Sequence, residues 1–164
     1  MIVVSDTTPL ISLMKTGPLD LVEQLFGEIQ IPEAVFHELI SNRHFPEEIK
    51  MVQESAFIKK VMVEDVKAVE LLCRSTGLDL GESEAIVLSD SNGAKLLLMD
   101  EARGRKVAKQ MGIQLMGTIG MLLVAYKEDR LTKEEILECL EALRHSGRHI
   151  SSKLYEQLLQ KLAE

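Results

Sequence analysis

The 164-residue chain lacks tryptophan and has only two tyrosines and four phenylalanines. So few aromatic rings argue against a nucleic-acid-binding surface on which bases stack. The chain also lacks an apolar run long enough to cross a bilayer. Its first residues reach Asp6 almost at once and carry no basic segment, so we expect no secretory leader. These features predict a cytoplasmic protein with no membrane partner.

Cysteine is equally scarce. Cys73 and Cys139 lie far apart and form no CxxC pair, which predicts two reduced thiols. With only four scattered histidines beside them, the sequence offers no zinc site. The patterns GxGxxG, GxxxxGK followed by Ser or Thr, and GxSxG do not occur, so the sequence gives no support for the nucleotide cradles and the nucleophile turn that they build.

Positive charge is in deficit, because 19 Lys and Arg residues face 26 Asp and Glu residues, a net charge of −7. A protein that coats nucleic acid would be basic, so the net charge argues against this class. A nuclease remains possible, since a carboxylate cluster inflates the negative count and bound divalent cations would offset it. An apolar content of 46% supports one folded domain with a sizeable core.

The pattern of elements indicates an α/β protein. Short apolar, β-branched runs near residues 2–5, 29–31, 57–63, 95–99 and 113–116 predict strands, and helical patterns lie between them. This alternation predicts a parallel sheet with helices on both faces. Glu82 is predicted to open one of the helices. The final third is helical, with a capping box at residues 132–135 and a cap at Ser151.

Acidic side chains recur at the strand–helix junctions: Asp6, Glu38, the pair Glu82 and Glu84, and Asp100 with Glu101. Carboxylates at the carboxyl ends of parallel strands point into the crevice where ligands bind. Several that converge there repel each other unless a hard cation lies between them, and Mg²⁺ and Mn²⁺ prefer oxygen ligands. The pattern indicates a phosphodiester hydrolase that depends on Mg²⁺ or Mn²⁺.

Spacing ranks the candidate ligands. Residues two apart in a helix point about 200° apart, so we favour Glu84 as the direct ligand and Glu82 as a second or water-mediated one. Asp100 is preferred to Glu101 because it ends the strand directly. Each acid alone also has a structural interpretation, as a helix cap, a dipole partner or an exposed helix face, and these alternatives stay open.

Polar and basic residues beside these acids are supporting candidates. Of the two threonines after Asp6, Thr8 is the better candidate to orient that carboxylate or a metal-bound water, although it could instead satisfy a backbone N–H at the helix start. A basic cluster suited to phosphate contacts follows Asp100: Arg103, Arg105, Lys106 and Lys109. The alternative for the cluster is a solvated helix face. Arg43 and His44 are weaker candidates.

Four segments together resemble the PIN-domain nucleases. They are VSDTTPLI at 4–11, IPEAVFHEL at 31–39, LDLGESEAI at 78–86 and LLLMDEAR at 96–103. GTIGMLL at 117–123 and the tail with GRHIS at 147–151 resemble a toxin-like prokaryotic subgroup of predicted nucleic-acid-binding PIN proteins. The chain departs from the pattern where Glu-Ser-Glu replaces a lone Asp and where Met99 replaces Thr or Ser.

The resemblance implies a three-layer α/β/α sandwich around a parallel sheet of four to five strands. It implies Mg²⁺- or Mn²⁺-dependent cleavage of single-stranded RNA, a possible antitoxin protein as partner, and a homodimer. The acidic quartet carried over is Asp6, Glu38, Glu84 and Asp100. We expect a PIN-like domain at 1–126 and a helical extension at 127–164, packed on that domain or at an interface.

Two other functions fit the same residues. One is a non-catalytic PIN module that binds nucleic acid or protein through the same crevice. The other is a small-molecule phosphohydrolase that uses the same carboxylates.

Overall fold

The computed structural model describes residues 1–41, 46–145 and 152–164. Its strands are β1 (Val3–Ser5), β2 (Ile29–Pro32), β3 (Ile58–Val61), β4 (Leu96–Leu98) and β5 (Leu115–Met116). Its helices are α1 (Thr7–Thr16), α2 (Asp20–Phe26), α3 (Glu33–Ile40), α4 (Pro46–Glu54), α5 (Val66–Thr76), α6 (Leu80–Ser91), α7 (Ala102–Gln110), α8 (Thr118–Lys127), α9 (Lys133–His145) and α10 (Ser152–Ala163). Arg43, His44, the tail motif at 147–151 and the predicted cap Ser151 lie outside the described residues.

The five strands form one parallel sheet in the order β3-β2-β1-β4-β5. The chain builds outward from β1 in both directions, so the strand order reverses between β1 and β4. Ligands bind at such a switch point, outside the carboxyl ends of the strands. Ser5 pairs with Leu98 there, and the Asp6 N–H donates to the Leu98 carbonyl at 2.9 Å. The residues that follow β1 and β4 are therefore brought together.

Both faces of the sheet are covered, which confirms the predicted three-layer sandwich. Neighbouring strand residues point to opposite faces, so Val3 and Leu98 enter one buried cluster while Val4 and Leu97 enter the other. The near-continuous apolar sequence of these strands is what burial on both faces requires.

Helix α9 packs on the first helix, and α10 contributes to the same apolar cluster. Buried apolar residues of α9 and α10 belong to the same cluster as Leu10 and Leu13 of α1; they are Ile136, Cys139, Leu140, Leu143, Leu158 and Leu162. The predicted capping box also forms, since Thr132 and Glu135 exchange hydrogen bonds of 3.0 and 3.1 Å. The division of the chain between residues 126 and 127 stays a prediction.

The start of α6 differs from the prediction that Glu82 opens it. The helix begins at Leu80, because Asp79 acts as its N-cap. Asp79 Oδ1 accepts the Glu82 N–H at 2.8 Å, and Glu82 Oε2 accepts the Asp79 N–H at 3.0 Å. This reciprocal capping box satisfies two N–H groups that would otherwise lack partners. It places Glu82 in the third helical position, folded back toward the loop.

Cys73 and Cys139 are both free, and the second is buried. Within the described parts of the chain, every helix is too short or too polar to cross a membrane.

Candidate active site

Asp6 is a buried carboxylate at the end of β1, with 4% of its surface exposed. It occupies the N-cap position of α1, yet its side chain makes no capping hydrogen bond. Burial raises the pKa of Asp6 to about 7, while the Thr7 N–H lowers it and the charges of Glu82, Asp79 and Glu38 raise it further. The helix-cap interpretation therefore does not account for this side chain. Its surroundings oppose its charge.

Glu38 reaches the same place from α3. Much of the residue is exposed, but its carboxylate folds over Gly81 at the start of α6. A Cβ at Gly81 would lie 2.5 Å from Glu38 Oε1, so the absence of a side chain there allows this approach. The pKa of Glu38 is raised, first by loss of water around the carboxylate and then by Asp79 and Glu82.

Glu82 and Asp79 supply the other two carboxylates from the start of α6. Burial raises the pKa of Glu82, as do the charges of Asp79 and Glu101, whereas the Asp79 N–H and Arg103 lower it. Sequence reasoning missed Asp79, although the spacing Asp-x-x-Glu is the signature of a capping box. We call the set Asp6, Glu38, Asp79 and Glu82 the acidic crevice; Glu101 stands beside it.

Asp100 and Glu84 are directed to helix N-termini instead. Asp100 Oδ1 accepts the Thr118 N–H at 2.7 Å and Asp100 Oδ2 accepts the Thr118 hydroxyl at 2.6 Å, both at the start of α8. Glu84 Oε1 accepts the Ala34 N–H of α3 at 3.1 Å. The structure thus brings Glu82, rather than the preferred Glu84, to Asp6. The ranking from helical spacing assumed that α6 begins at Glu82.

The donor chemistry of the acidic crevice fits a hard divalent cation. All its donors are carboxylate oxygens, and a positive charge would offset the burial and repulsion that raise the pKa values of Asp6, Glu38 and Glu82. In residues 1–41, 46–145 and 152–164, no three Asp, Glu, His or Cys side chains converge closely enough to hold a metal ion. The acids surround a crevice and do not form a closed cage.

A family model described as a PIN domain matches residues 2–164. The chain belongs to the PIN-domain family. This confirms the resemblance drawn from the four sequence segments. PIN domains are generally nucleases, and PIN nucleases typically use divalent metals. No curated protein matches the chain.

In this PIN domain the buried threonine beside the crevice is Thr7, whereas the sequence favoured Thr8. Thr7 is 6% exposed, and its hydroxyl has no hydrogen-bond partner among the described residues. It stands near enough to Glu38 to lower the pKa of that carboxylate. Thr8, the candidate favoured by sequence, is only half-buried. Thr7 is therefore the hydroxyl that the fold turns toward the crevice.

The basic residues of α7 divide into two kinds. Arg103 Nη2 donates to the Thr76 carbonyl and Arg105 Nη1 donates to the Met99 carbonyl, both at 2.8 Å. Lys106 and Lys109 are exposed on the helix surface. A cleft of about 610 Å³ opens beside Arg105 and Asp100. The anchored guanidinium of Arg103 therefore stands beside Glu82 in the acidic crevice, and that of Arg105 stands beside Asp100.

Proposed function

We propose that this PIN domain is a divalent-metal-dependent hydrolase that cleaves single-stranded RNA. The observation that carries the proposal is Asp6, a buried carboxylate that makes no capping hydrogen bond and whose pKa is raised to about 7, first by burial and then by the charges of Glu82, Asp79 and Glu38. A buried acid in such surroundings is unfavourable for stability, and perturbed pKa values of this kind cluster at functional sites.

Mg²⁺ or Mn²⁺ would be held by Asp6 and Glu82, with Asp100 and Glu101 as further oxygen donors from the end of β4. Bound there, the cation supplies charge stabilisation at the scissile phosphate and lowers the pKa of a water molecule. We assign Glu84 a structural role, because its carboxylate bonds the N-terminus of α3. Of the carried-over quartet, this proposal keeps Asp6 and Asp100 as metal ligands and moves Glu38 and Glu84 out of the metal shell.

The protein's own side chains do the remaining work. Glu38 has a raised pKa and is exposed, so water can reach its carboxylate. This carboxylate accepts a proton from the attacking water. The Thr7 hydroxyl orients that carboxylate. Arg103, Arg105, Lys106 and Lys109 bind the phosphate backbone, which offsets the negative charge that the crevice presents to an RNA strand.

The decisive experiment compares cleavage of mixed-sequence RNA and single-stranded DNA in Mn²⁺ and in EDTA. We expect metal-dependent RNA cleavage that Asp6→Asn lowers by roughly a thousandfold or more. Glu84→Gln is the matched control, because it changes a neighbouring acid that we place outside the metal shell. Metal-dependent cleavage that survives in Asp6→Asn would refute the assignment, and preferential turnover of small phosphate esters would indicate a phosphohydrolase.

One observation favours a second candidate function. Since no three described acids converge on one point, the domain would suit a non-catalytic module that binds nucleic acid or protein through the crevice. RNA binding without cleavage in Mn²⁺, by protein free of contaminating nuclease, would support that function.

We propose further that the protein acts in the cytoplasm as the toxin of a toxin–antitoxin pair, as a homodimer. The net charge of −7 suits a basic protein partner. Growth arrest on expression of the wild-type chain, but not of Asp6→Asn, is the expected result, and sedimentation of the purified protein tests the dimer.

A further inference from the structure

Arg103 is seated on a glycine beside the acidic crevice. Its Nη2 lies 2.8 Å from where a Cβ of Gly77 would stand, and the same nitrogen donates to the Thr76 carbonyl. Gly77 ends α5 with a φ of 75°, a conformation that glycine adopts without strain. The guanidinium is close enough to Glu82 to lower the pKa of that acid.

Arg105 has a parallel arrangement on the other side of the helix. Its Nη1 donates to the Met99 carbonyl and lies 3.4 Å from where a Cβ of Gly117 would stand. Asp100 Oδ1 lies 2.7 Å from the same point, so this guanidinium stands beside the Asp100 carboxylate. Each arginine thus rests on a glycine and is held by one main-chain carbonyl.

The close contact between Gly104 and Met99 determines the directions in which the side chains of Arg103 and Arg105 extend from α7. A Cβ at Gly104 would lie 2.6 Å from the Met99 sulfur, so the helix start sits tightly on the end of β4. Residues two apart in a helix point about 200° apart, and Arg103 and Arg105 therefore leave this contact in opposite directions. Met99, which replaces the expected Thr or Ser, is the buried support beneath them.

Helix stability does not account for these positions. Cations in the first turn of a helix oppose its macrodipole, and the first turn of α7 contains no acidic residue. A residue that breaks a local rule in this way often serves function. A guanidinium carries five N–H donors in a planar fork, so one bond to a carbonyl fixes its orientation and leaves donors for a phosphate.

We propose that Arg103 and Arg105 form a two-point clamp for separate phosphates of one single-stranded RNA chain, one beside Glu82 and one beside Asp100. The clamp selects oligonucleotides over small phosphate esters. Lys106 and Lys109 contribute only a general attraction, because no residue in the described part of the chain holds their ammonium groups in place. This inference rests on the proposed function and assigns its substrate selection to two residues.

Binding is measured first, so that the result does not depend on cleavage. Fluorescence anisotropy of a labelled single-stranded RNA 10-mer is titrated with full-length Asp6→Asn protein at several salt concentrations. Adding Arg103→Ala or Arg105→Ala should raise Kd about tenfold and lower the salt slope by about 0.7 each. Arg103→Lys and Arg105→Lys should recover only part of the affinity, because lysine keeps the charge but lacks the fork.

Matched variants distinguish two fixed arginine–phosphate contacts from a general attraction of RNA by the positive charges of α7. Arg130→Ala removes an exposed arginine that pairs with Glu128 elsewhere, and should leave Kd unchanged. Lys106→Ala and Lys109→Ala should raise Kd less than the arginine variants. Equal losses from all four positions on α7, or RNA binding that Arg103→Ala and Arg105→Ala leave intact, would overturn the clamp while the proposed function stands.

A small substrate provides the second arm. With Asp6 intact, Arg103→Ala and Arg105→Ala should slow Mn²⁺-dependent cleavage of the RNA 10-mer about tenfold more than they slow hydrolysis of bis(4-nitrophenyl) phosphate. Equal losses on both substrates would place the arginines at the scissile phosphate and refute the two-point arrangement. Failure of the unmutated site to bind or cleave any RNA would instead refute the proposed function itself.

Discussion

Carboxylates of the same chemical type behave differently on the two sides of this site. The four acids of the acidic crevice face one another, and burial together with mutual repulsion raises the pKa values of three of them, Asp6, Glu38 and Glu82. Asp100 and Glu84 accept hydrogen bonds from the first turns of α8 and α3, where the helix macrodipole favours negative charge. Position after a strand therefore does not by itself define the surroundings of an acid, which depend on its burial, neighbouring charges and hydrogen-bond partners.

The largest effect expected from this contrast is the pH dependence that Asp6 gives to the free energy of unfolding. A pKa raised from 3.8 to about 7 means that the folded protein binds more protons than the unfolded chain between these values. The contribution of Asp6 to the free energy of unfolding is therefore most favourable below pH 4 and falls as the pH rises toward 7. The cost in the wild-type protein reaches up to about 4 kcal/mol, at ~1.36 kcal/mol per pH unit.

Asp6→Asn removes that titration. In EDTA at pH 8, the variant should be more stable than wild type by a few kcal/mol, and the difference should shrink toward pH 4. Urea unfolding across this range measures it. Mn²⁺ should reduce the gap by stabilising wild type alone. A difference that is independent of pH would show that Asp6 is not a destabilised acid.

Asp100 should give the opposite sign. Asp100→Ala removes two charge-assisted hydrogen bonds and leaves the buried Thr118 without its partner, so the free energy of unfolding should fall by about 2–3 kcal/mol at pH 7. Thr118→Val keeps the N–H bond and loses only the hydroxyl, and should cost about half as much. If Asp100→Ala stabilises the protein, Asp100 belongs with the acidic crevice.

Asp79 shares a feature with each set of acids, because it faces the acidic crevice and also caps helix α6. Asp79→Ala should lower stability by about 1 kcal/mol, whereas Asp79→Ser keeps an N-cap and should cost much less. Both variants remove a charge that raises the pKa of Asp6, so titration of Asp6 by NMR should shift to lower pH in each. An unchanged pKa in both would exclude Asp79 from the crevice.

The smallest effect is expected at Glu84. Glu84→Gln retains an oxygen that can accept the Ala34 N–H and loses only the charge near the helix dipole, which is worth about 0.3–1 kcal/mol. Thermal unfolding should change little and RNA cleavage should persist. Glu82→Gln on the same helix is the comparison: equal loss of cleavage in the two variants would return Glu84 to the metal shell.

The sheet could be predicted because its signals are local. Apolar, β-branched runs alternating with helical patterns predict parallel order, and the resemblance to PIN domains predicted the sandwich that the structure shows. Strand bounds were less accurate: the run near 57–63 forms only β3, Ile58–Val61.

The site was harder, because its details depend on helix registers and distant partners. The choice between Glu82 and Glu84 follows from a helix start two residues earlier than predicted, and the Asp-x-x-Glu spacing was a readable signal for it. The bond from Thr118 to Asp100 spans 18 residues, and no local pattern reports such a partner. Burial of Thr7 rather than Thr8 likewise depends on how α1 packs.

The central place of β1 has a consequence for synthesis of the chain. Its neighbours are β2 on one side and β4 on the other, so the first strand made cannot complete its hydrogen bonds until residue 98 has left the ribosome. All four acids of the crevice have been made by residue 82, yet Asp6 still lacks the Leu98 carbonyl that holds its backbone. Contacts so distant in sequence close late in folding. A partly made chain therefore carries the acids without the assembled site.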